Sequence, residues 1–179
     1  SNLTSVGTYS LSANTIGIEN TAIGFESMRN NISGNFNTAT GHHSLRLNDV
    51  GLENTGIGAY ALATNSSGSN NTSLGTSSLR NNTTANSNTA IGWRSMWVTT
   101  TGSNNTAVGS GSLSSNTTGY ANVGLGADAL RSTTTGANNT GIGTNALYHS
   151  NGNYNIAIGD AALLSNTTGS GNTVIGTFA

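Results

Sequence analysis

The chain contains no cysteine and no lysine, and charged residues make up only 6% of its 179 residues. Without cysteine there is neither a disulfide frame nor a thiolate metal site. Its cations are five arginines, Arg29, Arg46, Arg80, Arg94 and Arg131, and the formal net charge is −1. Nucleic acid is therefore not an expected partner, because phosphate binding needs a concentrated basic surface. No apolar run approaches the roughly 18 residues of a membrane-crossing helix, and no basic start leads into a short apolar segment. Insertion into a membrane by this segment is not expected, and any export or anchoring signal would lie outside these residues. Low charge with abundant Asn, Ser, Thr and Gly also occurs in disordered chains, but those lack a regularly spaced apolar set.

Such a set is present. The glycine that closes each Asn-Thr-Ala-(Val/Ile)-Gly block recurs at Gly7, Gly24, Gly41, Gly58, Gly75, Gly92, Gly109, Gly126, Gly143, Gly159 and Gly176, every 17 residues except for one step of 16. A period of this size kept end to end marks a solenoid, in which each copy is one coil and stacked neighbours make the core. Residues 1–179 thus read as one repeat array, with coils beginning near residues 3, 20, 37, 54, 71, 88, 105, 122, 139, 155 and 172.

Numbering each coil from the block's asparagine, position four carries Val6, Ile23, Ile57, Leu74, Ile91 and their equivalents, and position nine carries Leu11, Met28, Leu45, Leu62 and theirs. Both columns are expected to line the core. Position two, nearly always Thr, shares a strand face with position four and is expected to point inward with it. Dense Gly, Asn, Ser and Thr disfavour helix, while β-branched residues at positions two and four favour strands of three to five residues. The block glycine and a second series, Gly17, Gly34, Gly51, Gly68 and onward, are expected to take backbone angles closed to other residues. Ala85 replaces glycine in the second series, so an altered turn is expected there. The missing residue falls between Leu147 and Gly152, in a polar turn. The asparagine column from Asn20 to Asn172 reads as an internal or turn-edge ladder.

Two columns are unexpectedly small. Position three (Ser5, Ala22, Ala39, Gly56 and equivalents), assigned to the solvent face, and position eight (Ser10, Ser27, Ser44, Ala61 and equivalents) hold nothing larger than valine. Either the interior of one coil is crowded, or sister chains pack along the rod and supply the core that a thin coil lacks.

The repeated N-T-A-I-G-x-x-(S/A)-L block followed by N-T-T-G resembles repeats in the heads of trimeric autotransporter adhesins and in the shafts of bacteriophage tail fibres. The resemblance covers essentially the whole chain. It implies an all-β fold, a parallel β-solenoid of the left-handed β-roll type with about ten coils, assembled as a homotrimer outside the cell, on a cell surface or on a virion. The chain departs from adhesin heads in using Thr at position two and in its longer, constant coil, and no segment of it reads as a neck, stalk, anchor or chaperone.

Catalysis is not expected. Glu19, Glu26, Asp49, Glu53, Asp128 and Asp160 form no repeated acid–base pair, and no cofactor is implied. His42 and His43, if on a strand, point to opposite faces and share no metal. Recognition is expected at positions six, seven and ten, which vary against a constant scaffold. These hold Phe25, Tyr60, Trp93, Arg94 and Trp97, an aromatic and arginine set suited to a sugar ring or a partner chain. Arg29, Arg46, Arg80 and Arg131 share position ten and form an edge-blunting stripe. The functional expectation is a structural or adhesive fibre segment whose partners are its own copies and a glycan or protein of a host surface. The alternative is an ice-binding solenoid using threonines such as Thr99–Thr101, Thr117–Thr118, Thr133–Thr135 and Thr167–Thr168.

Overall fold

A computed structural model describes residues 2–179. Among them there is no helix; eleven three-residue strands form one parallel sheet in sequence order, from β1 (Thr4–Val6) through β6 (Thr89–Ile91) to β11 (Thr173–Ile175). Each strand is positions two to four of one block, and its register matches the repeat, with Thr72 opposite Thr89 and Leu74 opposite Ile91. The chain is an all-β parallel β-solenoid. At about 4.8 Å per coil, the eleven strands span roughly 50 Å.

The strand faces are the reverse of the sequence expectation. Position three is the inward one: Ala22, Ala39, Ala90, Ala107 and Ala157 are fully buried, whereas positions two and four on either side are half-buried or exposed. The hydrophobic interior is position three packed on position nine, where Met28, Leu45, Leu62, Leu79, Met96, Leu113, Leu130 and Leu147 are fully buried. A methyl added at Gly56 would lie 3.3 Å from Leu45 Cγ. The coil is too narrow for isoleucine opposite leucine, so the alternation places alanine inside and the β-branched residues outside. Position eight is buried for the same reason, and its hydroxyls serve the backbone: Ser27 Oγ donates to Ala39 O at 3.2 Å and Ser44 Oγ to Gly56 O at 2.7 Å. The small columns thus reflect crowding within one coil.

The other half of the interior is amide. From Asn20 to Asn155, each block asparagine donates to the carbonyl of the second-series glycine, or of Ala85, in its own coil and accepts from the next block asparagine. Asn54 Nδ2 donates to Gly68 O at 2.8 Å, and Asn71 N donates to Asn54 Oδ1 at 3.0 Å. Asn20 to Asn155 in this column are fully buried, so the ladder expected from the sequence is internal.

A second amide ladder, not foreseen, runs along position twelve. Asn48, Asn65 and Asn82 each donate to the asparagine one coil earlier, at 2.9, 2.7 and 2.6 Å. It breaks where threonine intervenes: Asn82 Oδ1, Thr99 Oγ1, Asn116 Oδ1 and Thr133 Oγ1 are buried without partners. Thr99→Asn should reconnect the ladder and raise the urea midpoint, with a gain of about 1–2 kcal/mol from pairing these groups.

The two glycine series serve different ends. Block glycines have φ from +126° to +142°, as expected. The second series does not take the left-handed region, which corrects the sequence reading. Glycine suits it because the next coil's turn passes close, so that a Cβ at Gly51 would lie 2.5 Å from Gly68 O, although one coil accommodates a methyl here at Ala85. Ala85 keeps the turn's hydrogen bonds: its carbonyl accepts from Asn71 at 2.9 Å and Asn82 at 3.1 Å, so the altered turn expected there is not found. At the shortened coil, Asn151 Oδ1 stands in for a backbone carbonyl and accepts from Thr134 N at 2.7 Å and Thr135 N at 3.2 Å.

Non-glycine residues also occupy left-handed angles in every coil. The position-nine residues from Leu11 to Leu163 have φ between +44° and +54°, and position seven does the same at Tyr9, Glu26, His43, Tyr60, Ser77, Arg94 and Asp128. This alternation turns the chain back over the sheet. Its cost, about 1–2 kcal/mol per residue, is comparable to the roughly 1.5–3 kcal/mol from burying the position-nine side chain.

Candidate functional site

Position six follows the block glycine, and the left-handed residue at position seven directs its neighbours outward, so positions six, seven and ten stand side by side on the turn after each strand. Stacking then brings equivalent positions of adjacent coils about 4.8 Å apart. The five sequence candidates fall into two groups.

Phe25 and Tyr60 belong to an aromatic stack across coils two to four. Phe25 lies 5.4 Å from His42, His42 lies 3.9 Å from His43, and Tyr60 meets both histidines edge-on at 5.2 Å. His42 and His43 are not on a strand and do not face opposite ways, contrary to the sequence expectation. Beneath them Glu26 joins Arg29 and Arg46, each at 2.7 Å, and His43 at 3.2 Å. Burial pushes the Glu26 carboxyl up, but the Arg46 hydrogen bond and the charges of Arg29, Arg46 and His43 outweigh it and hold it below its ordinary value. Burial, with the neighbouring His42 and Arg46, lowers His43, against the opposing pull of Glu26. The cluster ties three coils together and holds no group of three or more metal-ligating side chains among the described residues.

Trp93, Arg94 and Trp97 form the second group. The Arg94 guanidinium lies 4.6 Å from the ring centroids of both tryptophans. Trp93 is 54% exposed, while the Trp97 indole N–H is buried without an acceptor. One wall of a cleft of about 230 Å³ is made by these residues; Ser110, Gly111, Ser114 and Ser115 supply its floor, and Asp128 with Arg131 the far wall. The cleft exists because the coil starting at Asn105 carries Ser-Gly and Ser where its neighbours carry Trp-Arg and Trp on one side and Asp and Arg on the other. Arg131 pairs with Asp128 at 3.3 Å. Arg94 has no acidic partner among the described residues.

The floor and far wall were missed in the sequence. The readable signal was one coil with small residues at positions six, seven and ten between two coils with large ones. The arginine stripe proves to be individually partnered: Arg29 and Arg46 by Glu26, Arg131 by Asp128, and Arg80 by the Tyr60 ring at 4.8 Å.

The outward strand face is the other candidate surface. Val6, Ile23, Ile57, Leu74, Val108 and Ile175 are exposed along position four, beside the threonines of position two. The threonines singled out by the sequence are not equivalent to these. Thr99 and Thr133 are buried, and Thr100 and Thr117 donate to carbonyls of the next coil at 3.2 and 3.1 Å. Comparison with protein-family models, with curated proteins and with solved structures finds no match.

Proposed function

We propose that the chain is a fibre segment: a homotrimer of left-handed β-rolls, in which sister chains cover the Thr/Ile face and the turns carry recognition surface, outside the cell as part of a bacterial surface adhesin or a phage tail fibre. One observation carries this reading. A column of Val, Ile and Leu runs along the outside of the sheet from Val6 to Ile175, about 50 Å long, and monomeric proteins rarely leave so extended an apolar strip uncovered. The interior of each coil holds a single large apolar side chain, so burying this strip would give the rod a second hydrophobic core. The repeat resemblance points the same way. With the small columns filled from within, the strip at position four replaces them as the argument for sister chains.

A second reading is favoured by the same face. Threonine occupies position two in nine of the eleven strands, at one strand spacing from coil to coil, a regular hydroxyl array suited to ice. The two readings compete, since a face covered by sister chains cannot meet ice. Replacing Ile57, Ile91 and Ile142 together by threonine, which Thr40 already places in that column, separates them. The fibre reading expects the variant to fall from trimer to monomer in light scattering, with no thermal hysteresis before or after. A monomeric parent showing hysteresis that the variant keeps would establish ice binding instead.

A further inference from the structure

We infer that the cleft between Trp93 and Asp128 is a binding site for a saccharide unit bearing a carboxylate. This deepens the fibre reading by giving the rod a receptor chemistry, and rests on that reading only for its setting. The cleft is built from coil positions six to eleven and takes nothing from the Thr/Ile strand face.

Its dimensions come from the repeat. The walls belong to coils two steps apart, about 9.6 Å between backbones, with one coil of Ser110, Gly111, Ser114 and Ser115 between them. Its volume of about 230 Å³ lies below the roughly 300–1,000 Å³ of pockets for drug-sized ligands, a size for one ring. The exposed Trp93 indole offers a flat apolar surface on which the C–H face of a pyranose stacks. Serine hydroxyls on the floor and the Asp128 carboxylate opposite supply the mixed donors and acceptors that ring hydroxyls need.

Charge selects the class of sugar. Asp128 is matched by Arg131, whereas Arg94 is held between two indoles with no acid, leaving one unopposed cation at the mouth. A carboxylate answers that cation, because a planar guanidinium pairs with it through charge-assisted hydrogen bonds. An aromatic side chain of a protein partner fills the slot but leaves the Arg94 guanidinium without a counter-charge.

Both tryptophans of the chain line this cleft, so intrinsic fluorescence reports on it directly. Methyl glucuronide and methyl glucoside are titrated into the full chain at matched ionic strength, with light scattering recording the oligomeric state. The glucuronide should shift tryptophan emission saturably and bind about tenfold more tightly than the glucoside, the value of one charge-assisted contact. Arg94→Gln should erase that preference. Gly111→Tyr should abolish both shifts by filling the floor; Tyr9 and Tyr60 already occupy this coil position at the same left-handed angle, so the scaffold accepts it once the Asp128 carboxylate swings aside. Equal binding of the two sugars would overturn the charge assignment. A silent titration, or binding kept in Gly111→Tyr, would overturn the site. Binding by a chain that light scattering finds monomeric would leave the cleft standing and remove the trimer.

Discussion

Asn71→Ala should destabilise the rod by about 3 kcal/mol or more, while Asn30→Ala, at an exposed turn position, should stay within about 0.5 kcal/mol of the parent. The Asn71 side chain donates to Ala85 O at 2.9 Å and Asn54 Oδ1 at 3.1 Å, and its Oδ1 accepts from Asn88 N at 3.0 Å. Its removal orphans the buried Asn88 N–H, and one such group costs about 1–3 kcal/mol. The cavity and the loss of the clamp across the turn add to that. Urea unfolding followed by circular dichroism measures the difference. A small effect would mean that water replaces the amide inside the coil, and the polar half of the interior would not be a dry ladder.

Gly92→Ala should be severely damaging for a single methyl, costing about 4 kcal/mol from strain and overpacking together or preventing folding of the central coils. At Gly92 φ is +128°, and the added Cβ would lie 2.6 Å from Gly109 O and 2.7 Å from Gly109 C, both backbone atoms that other coils hold in place. Gly171→Ala is the control. Its φ is +72° and no atom lies within 4 Å of an added Cβ, so only the ordinary left-handed penalty of about 1 kcal/mol applies. Thermal melts of the two variants should separate widely. Similar melting of both would remove close backbone stacking as the reason for the glycine column.

The period, the all-β class, the position-nine core and the asparagine ladder were legible because each recurs from coil to coil and each has one physical cause. The strand faces were not. Hydrophobicity assigns Ile91 inside and Ala90 outside, and on a sheet that is half solvated the rule usually holds. Here the coil's width decides, since Met96 and its equivalents already fill the cross-section and leave room only for a methyl. The clue was the ceiling on side-chain size at positions three and eight, which one narrow coil explains without sister chains. The cleft was half legible: Trp93, Arg94 and Trp97 stand out as rare residues, while Gly111 and Ser114 matter by being small, which a search for reactive side chains passes over. The position-twelve ladder was hidden because threonine and serine interrupt its asparagines.

The proposal that sister chains cover the outward Val/Ile/Leu column is tested most directly by sedimentation equilibrium of the unmodified chain across a hundredfold range of concentration. The fibre account predicts a single species of three times the 18.0 kDa chain mass, unchanged on dilution and at high salt, because apolar contact and not charge would hold it. A species of one chain mass at every concentration, with the Thr/Ile face left in water, would contradict it.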